Sequence, residues 1–159
     1  MKATRNELFW CIARVLVGLI FAYAGLAKLL EPVENFEAAL LRLGVLSPAW
    51  IPWVARTIPW IEWILGVFFV LGYFPRVSGA GLCLLSLMFV VVLSSSRLFV
   101  TAGGTDCGCF GSSFLLRLTI HQVFILDLVN FSVLIRLLFL KNFPLSLESM
   151  WWKEEEGVQ

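Results

Sequence analysis

The sequence predicts an all-α integral membrane protein: a bundle of four transmembrane helices, with a short amphipathic interfacial helix between helices one and two. The first observation is composition, because 60% of the 159 residues are hydrophobic and 14% are charged, with a mean hydropathy of +0.90. A soluble domain has about 45–50% apolar and about 25% charged residues. The second observation is four apolar blocks, each long enough for the roughly 20 residues of a spanning helix. The third is that these blocks are continuous and lack the alternation of a membrane β-barrel.

Composition also narrows the classes of function. Intrinsic disorder requires low hydrophobicity and high net charge, whereas the formal net charge here is +1. The same near-zero charge argues against nucleic acid as a partner, so the lipid bilayer is the expected surroundings. Four spans and their connections use nearly the whole chain, which leaves the bundle and its loops as the places for chemistry. No feature of the sequence indicates an oligomeric state.

Each spanning helix is predicted from one apolar block bounded by proline, glycine or polar clusters. The first, second and fourth blocks contain charged residues, whereas the third has an uncharged run of spanning length at residues 77–96. We predict one transmembrane domain over residues 1–141, followed by a cytoplasmic tail at residues 142–159. The predicted spans cover residues 8–30, 53–74, 77–100 and 114–140.

The first block also has the features of a cleaved signal peptide. Lys2 and Arg5 form a basic region, residues 15–21 form an apolar core, and residues 22–24 form an A-x-A site. Arg14 beside the apolar core argues against cleavage. We therefore predict that this block remains as the first spanning helix.

Between the first two spans, residues 33–43 follow Pro32 and have their apolar side chains on one helical face. This pattern predicts a short helix lying at the membrane interface. The tryptophans between residues 50 and 63 predict an aromatic belt where the second span begins, and a tight turn at residues 72–76 makes spans two and three an antiparallel hairpin. The apolar positions of the short helix are Phe36, Ala39, Leu40 and Leu43, opposite Glu34 and Glu37.

The connection between the last two spans, residues 101–113, is the most polar and glycine-rich stretch of the chain. It contains Cys107 and Cys109, separated by Gly108. Two cysteines at this spacing can form a disulfide only if the backbone turns sharply, which glycine permits. Such a small ring is strained, and strained exposed disulfides have the oxidising potentials of labile or catalytic pairs. We therefore predict Cys107 and Cys109 as catalytic residues.

The residues around this cysteine pair have opposite effects on the stability of a thiolate. Ser112 and Ser113 are candidate N-caps of the last helix, whose dipole would favour a thiolate, whereas Asp106 would disfavour it. A static disulfide clip is the alternative to a catalytic pair. A metal site is not expected, because C-x-C offers two ligands and His121 would have to fold back from the last helix.

The other two cysteines, Cys11 and Cys83, lie within apolar segments towards the predicted cytoplasmic side. A buried free cysteine usually behaves as a small inert hydrophobe. Because these two lie about one bilayer thickness from the polar loop, we predict no direct exchange with it.

Ionisable side chains within the spans are the second functional signal, because each is costly in a bilayer unless it is paired or faces a cavity. Arg14 is the natural partner for Glu62 or Asp127. Arg117 and His121, four residues apart, share one face of the last helix below the cysteine loop. One hypothesis is a polar cavity that binds a small polar substrate or the head group of a quinone. No cofactor is evident from the sequence itself, which contains no readable quinone motif. The alternatives are interhelical ion pairs that fix packing and, for His121, a satisfied core histidine. The cavity candidates are Arg14, Lys28, Glu62, Arg117, His121 and Asp127.

Lysines and arginines near the helix ends favour a cytoplasmic N-terminus by a small margin. The same topology places the cysteine pair outside the cytoplasm, where disulfides persist. We predict a multi-pass plasma (inner) membrane protein with both termini in the cytoplasm and the C-x-C loop on the extracytoplasmic side. In this topology the cytoplasmic faces carry Lys2, Arg5, Arg76, Lys141 and Lys153, and the opposite faces carry Lys28, Arg42, Arg97 and Arg117.

The order of these motifs along the chain resembles a known family. Gly25-x-x-Lys28 is followed by Pro32 and Phe36, Pro59-x-x-Glu62 by Gly66, and the D-C-G-C-F-G segment at residues 106–111 by Asp127 in the last span. Over residues 8–140 this order resembles the MauE/DoxX family of small four-helix membrane proteins. The C-x-C-F-G motif is the most specific element and marks the MauE side of the family.

The resemblance implies an inner-membrane, redox-associated role. MauE-like proteins are linked to methylamine utilisation and to maturation of the disulfide-rich small subunit of methylamine dehydrogenase. DoxX-like and DoxD-like relatives are linked to membrane oxidoreductase complexes and, in one branch, to thiosulfate:quinone oxidoreduction.

Three hypotheses follow. The first is a redox relay in which the cysteine pair exchanges with an extracytoplasmic thiol or redox protein and electrons leave through a quinone. It needs a partner with a second cysteine pair. The second is a non-catalytic assembly factor, or a subunit of a quinone-linked oxidoreductase complex, in which the disulfide is a clip. A small-solute transporter is the third, without an internal repeat to support it.

Overall fold

The computed structural model describes residues 5–95 and 120–139, and every regular element within these ranges is a helix. Four of the five helices are long and apolar enough to cross a membrane. The predicted all-α membrane bundle, with its short helix after the first span, is therefore confirmed. In chain order the helices are α1 (Arg5–Leu30), α2 (Val33–Leu43), α3 (Ile51–Leu71), α4 (Pro75–Ser95) and α5 (Ile120–Phe139).

Helix α2 begins and ends where the sequence indicates. Pro32 precedes it in an extended conformation, and Gly44 follows it with a φ of 67°, a left-handed conformation that glycine adopts without steric cost. Glu34 lies on the exposed face. The buried face consists of Phe36, Ala39, Leu40 and Leu43, which are the four apolar positions predicted.

The turn between α3 and α4 is made by residues with positive φ. Gly72 has a φ of 70° and caps α3 through its backbone N–H, and Phe74 has a φ of 46°. Helix α4 starts immediately at Pro75, because the fixed φ of proline suits the first position of a helix. The antiparallel hairpin is as predicted, but α3 begins two residues before and ends three residues before the predicted span at 53–74.

Helices α1 and α3 run antiparallel and approach closely because glycines line their contact. A Cβ atom added to Gly25 would lie 2.6 Å from the backbone nitrogen of Trp63, and one added to Gly66 would lie 2.5 Å from that of Ala22. One added to Gly18 would lie 3.0 Å from the carbonyl oxygen of Gly66. Small residues permit this close approach between membrane helices. The two backbones are therefore in direct contact along about two turns.

The outer surface of the spanning helices is apolar. Leu16 on α1, Trp53 on α3, Leu84 on α4 and Val129 on α5 are each more than half exposed. Large contiguous apolar surfaces are rare on soluble monomers. Their presence on all four long helices is what a lipid-facing surface requires.

Two buried apolar clusters fill the interior, one towards each end of the bundle. Because the first contains Leu93 near the end of α4 and Val123 near the start of α5, the end of α4 and the start of α5 lie on the same side of the bundle as α2. We call this side the α2 end. The first cluster is Ala24, Phe36, Leu40, Leu43, Ile51, Ala55, Leu93 and Val123. The second is Val17, Phe21, Phe69, Leu82, Leu85, Leu134 and Leu137.

Candidate functional site

An ion pair joins α1 to α3 in the interior of the bundle. The Nζ atom of Lys28 donates to Oε2 of Glu62 at 2.6 Å and to Oε1 at 2.9 Å, and both side chains are 2% exposed. Gly25 lies one turn before Lys28, and Gly66 lies one turn after Glu62. The glycines bring the two backbones together, and the charged groups meet between them. This arrangement explains both the G-x-x-K and the P-x-x-E-x-x-x-G spacing.

The ammonium group of Lys28 also lies over two aromatic rings. Its Nζ atom is 5.3 Å from the ring centre of Phe36 on α2 and 5.1 Å from that of Phe89 on α4. Both distances are within the roughly 6 Å over which cation–π attraction is significant. Lys28 therefore connects α1 to three other helices, and these contacts offset part of the cost of burying its charge.

A small cavity borders this pair. Its polar lining is Lys28, Glu62, Asp127 and Asn130, and the rest of its lining is apolar. The space available to the centre of a water molecule is about 20 Å³, which is enough for about one water. Pockets for drug-sized ligands enclose roughly 300–1,000 Å³. The cavity therefore matches a water molecule in size, and a quinone ring would need the helices to separate.

Asp127 and Asn130 reach the cavity from α5, about one turn apart. They are 6% and 3% exposed. The hydroxyl group of Ser86 on α4 donates to the backbone carbonyl of Asp127 at 2.9 Å, which anchors α5 at this level. Among the described residues, the Nδ2 atom of Asn130 has no hydrogen-bond partner. At least one hydrogen-bond donor beside the cavity, the Nδ2 group of Asn130, is therefore unused by the described residues.

The cluster combines two carboxyl groups, one ammonium group and one carboxamide in apolar surroundings. Glu62 engages the ammonium group with both of its oxygens, and Asp127 contributes the second carboxyl group to the same small space. Chemically, such a cluster can hold a water molecule or a proton. Within residues 5–95 and 120–139, no group of three or more His, Cys, Asp or Glu side chains is placed to hold a metal ion.

Three of the predicted cavity residues come together here: Lys28, Glu62 and Asp127. Arg14 is buried, but it lies about 21 Å from Lys28 along α1 at the standard rise and does not line this cavity. The observed partner of Glu62 is therefore Lys28 and not Arg14. His121 is exposed near the start of α5, so it is not a core histidine and does not line the cavity.

The predicted catalytic residues Cys107 and Cys109 lie outside the described residues, as does Arg117. Their roles remain predictions. Cys11 and Cys83 are free thiols on α1 and α4, and each is half-buried.

Sequence reasoning missed four contributors to this site. Asn130 could have been found, because it is a polar residue in an apolar span and lies three positions after Asp127, on the same helical face. Ser86 lies within the uncharged run of the third span, and serines of this kind give no distinct signal. Phe36 and Phe89 contact Lys28 only because of the way the helices cross.

Comparison with known families matches residues 6–140 to MauE, described as methylamine utilisation protein MauE. The matched range covers nearly all of the helical bundle and the connection that contains the cysteine pair. This match supports the MauE part of the resemblance and gives no support to the DoxX part. No curated protein and no solved structure matches the chain. Because the match covers most of its length, this chain belongs to the MauE family.

Proposed function

We propose that this protein is a membrane accessory protein of methylamine utilisation, which supports maturation of a disulfide-containing redox enzyme by thiol–disulfide exchange at Cys107 and Cys109. The observation that carries the proposal is the family match over residues 6–140, a range that includes the C-x-C-F-G segment. Family membership supports the role in methylamine utilisation. The spacing of the two cysteines supports the exchange chemistry.

The proposed exchange begins when a thiolate of the client enzyme attacks the Cys107–Cys109 disulfide. A mixed disulfide forms, and the second client thiol resolves it. The client gains a disulfide, and the Cys107–Cys109 pair becomes a dithiol that has accepted two electrons and two protons. A partner protein with its own disulfide then reoxidises the dithiol and passes two electrons and two protons to a membrane quinone.

The geometry of the α2 end supports this role. The end of α4 and the start of α5, which flank the C-x-C connection in the sequence, lie at this end, and we propose that it is extracytoplasmic. Beneath it, the Lys28–Glu62 pair and the glycine contacts between α1 and α3 give the bundle a rigid base.

Serine substitutions test the exchange. In cells that depend on methylamine as substrate, Cys107→Ser and Cys109→Ser are each expected to abolish maturation of the client disulfides while the protein level stays normal. The measurement is the disulfide content of the client enzyme. Cys11→Ser and Cys83→Ser are the matched controls and are expected to retain function. Full client maturation in the Cys107→Ser/Cys109→Ser double variant would exclude the exchange mechanism.

A non-catalytic assembly factor, or a subunit of a quinone-linked oxidoreductase complex, is the second candidate. The observation in its favour is the 2.6 Å ion pair between Lys28 and Glu62 beside a water-sized cavity. In this interpretation the two charges serve to fix the packing of the helices. In this case the double cysteine variant retains client maturation. Glu62→Gln, which weakens the packing of α1 on α3, is then expected to reduce client maturation.

A further inference from the structure

The polar cavity contains one more acid than the Lys28–Glu62 pair can balance. Lys28 is bound by both carboxylate oxygens of Glu62, at 2.6 and 2.9 Å, and neutralises that carboxylate. Asp127 adds a second carboxyl group while only 6% exposed. Within the part of the chain that the structure describes, no hydrogen bond or ion pair involves this second carboxyl group. An ionised carboxylate that is buried without a paired cation is strongly disfavoured.

A second, independent observation points to a ligand in the same space. Asn130 lines the cavity, and its buried Nδ2 atom has no hydrogen-bond partner among the described residues. A carboxamide N–H group needs an acceptor, and the cavity has room for about one water molecule. Water can accept from Asn130 and at the same time donate to, or accept from, a carboxyl group.

We propose that Asp127, Asn130 and the Lys28–Glu62 pair form a membrane-embedded proton-binding site. In this site Asp127 is a neutral carboxylic acid, joined to Asn130 by one buried water molecule. The bound proton brings the net charge of the cluster to zero, because one ammonium group then balances one carboxylate. The site does not depend on the proposed exchange chemistry.

The helices around Asp127 supply the groups that determine where the proton resides. Helix α1 contributes Lys28, α3 contributes Glu62, and α4 contributes Ser86, whose hydroxyl group is used on the backbone carbonyl of Asp127. Arg14, the other buried cation of α1, lies about 21 Å along the helix from Lys28. Changing either member of the Lys28–Glu62 pair therefore changes how many protons the two acids hold.

Infrared spectroscopy of the full chain in lipid nanodiscs at neutral pH tests this charge balance through the C=O stretching band of protonated carboxylic acids. The wild-type protein is expected to contain one such group. Asp127→Asn is expected to contain none, and so is Glu62→Gln, because Asp127 then becomes the counter-ion of Lys28. Lys28→Met is expected to contain two, because neither acid then has a cation. Glu34→Gln, on the exposed face of α2, is the control and retains one.

Isotope labelling assigns the band without any substitution. With carbon-13 in the aspartate side-chain carboxyl groups, the wild-type band is expected to shift, whereas the same label in glutamate leaves it in place. Absence of the band from the wild-type protein would overturn the proposal. So would a band that persists in Asp127→Asn or shifts with the glutamate label.

The water molecule and the identity of the ligand have their own test. Asn130→Leu is expected to keep the band and change its frequency, because the carboxamide that holds the water is removed; an unchanged frequency would exclude the water bridge. Replacing choline chloride by sodium chloride is expected to leave the wild-type band intact. Loss of the band in sodium would assign the space to a monovalent cation and overturn the proton site.

Discussion

Lys28 is the residue on which most interactions of the buried cluster converge. Its ammonium group contacts Glu62, lies over the rings of Phe36 and Phe89, and borders the cavity. It also occupies the last turn of α1, where a positive charge interacts favourably with the helix dipole. Buried ion pairs often contribute little net stability but are costly to break, because one charge is then left unpaired. We therefore expect the pair to contribute more to the choice of register between α1 and α3 than to the stability of the bundle.

Single neutralisation of this pair is expected to destabilise the protein. In Glu62→Gln, the charge of Lys28 loses its close partner, and the free energy of unfolding is expected to fall by about 3 kcal/mol. Lys28→Met is expected to lower the free energy of unfolding by a similar amount, because the carboxylate of Glu62 then loses its cation. Reversible unfolding in mixed micelles of detergent and dodecyl sulfate measures both changes.

The double variant Lys28→Met/Glu62→Gln distinguishes the effect of breaking the ion pair from the effect of losing each charged group by itself. It removes both charges, so it is expected to be more stable than either single variant; because each single variant loses about 3 kcal/mol, the coupling free energy is then larger than about 3 kcal/mol. Glu34→Gln is the surface control and is expected to change stability by no more than about 0.5 kcal/mol. Additive effects of the two substitutions would mean that the charges do not act as a pair.

At the scale of the helices, the contact between α1 and α3 is organised by small residues on both partners. Gly18 and Gly25 on α1 face backbone atoms of α3, and Gly66 on α3 faces backbone atoms of α1. Apolar side chains alone give little preference for one helix partner in lipid, whereas close backbone packing does. The glycines and the ion pair lie at the same interface. The glycines allow the backbones to approach closely, and the ion pair forms between the helices that they bring together.

Alanine at one of these glycines is expected to push the two helices apart. A Cβ atom at position 66 would lie 2.5 Å from the backbone nitrogen of Ala22 and 2.9 Å from the carbonyl oxygen of Gly18. Because backbone atoms cannot move aside as the end of a side chain can, Gly66→Ala is expected to cost about 1–3 kcal/mol of unfolding free energy. The same unfolding assay measures this change.

Gly81→Ala on α4 is the matched control for Gly66→Ala. Its added Cβ atom would meet a terminal methyl group of Leu65 at 2.7 Å, and this side-chain end can rotate away. Alanine also has a higher helix propensity than glycine, so Gly81→Ala is expected to be nearly neutral. If both substitutions were equally harmless, the close packing of α1 on α3 would not be a source of stability.

At the scale of the whole molecule, hydropathy predicts the bundle well because the bilayer constrains each span to a long apolar helix. The limits of α2 are also predictable, since Pro32 and Gly44 act through local backbone geometry. The turn after α3 was predicted correctly, but the end of the second span was placed three residues too late, because aromatic residues 73 and 74 extend the apolar block while their backbone leaves the helix.

The site was predictable in part for a different reason. Charged residues in apolar spans identify Lys28, Glu62 and Asp127 directly. A helical pattern gives the face on which each residue lies, but not how far one helix slides along another. The pairing of Glu62 with Lys28 in place of Arg14 is set by that axial register, which depends on glycine contacts between residues distant in sequence.

The orientation of the molecule in the membrane rests on few charges, and the structure changes their weight. Lys28 is buried in an ion pair and is therefore not available as a loop charge on the side of the α2 end. When Lys28 is left out of the count of loop charges, the excess of positive charge on the side of the α3–α4 turn and the N-terminus increases. Such an excess favours the cytoplasmic side. We therefore expect the α2 end to be extracytoplasmic.

Two exposed positions in the described connections test this orientation in a variant whose four native cysteines are replaced by alanine. Ser47→Cys lies in the connection at the α2 end, and Tyr73→Cys lies in the turn between α3 and α4; both positions are exposed. An impermeant maleimide is expected to label Ser47→Cys in intact spheroplasts, and to label Tyr73→Cys only after the membrane is permeabilised. Each variant serves as the control for the other, because both thiols must react once the membrane is open. The reverse pattern would invert the bundle and place the C-x-C connection in the reducing cytoplasm, where a stable disulfide is not expected.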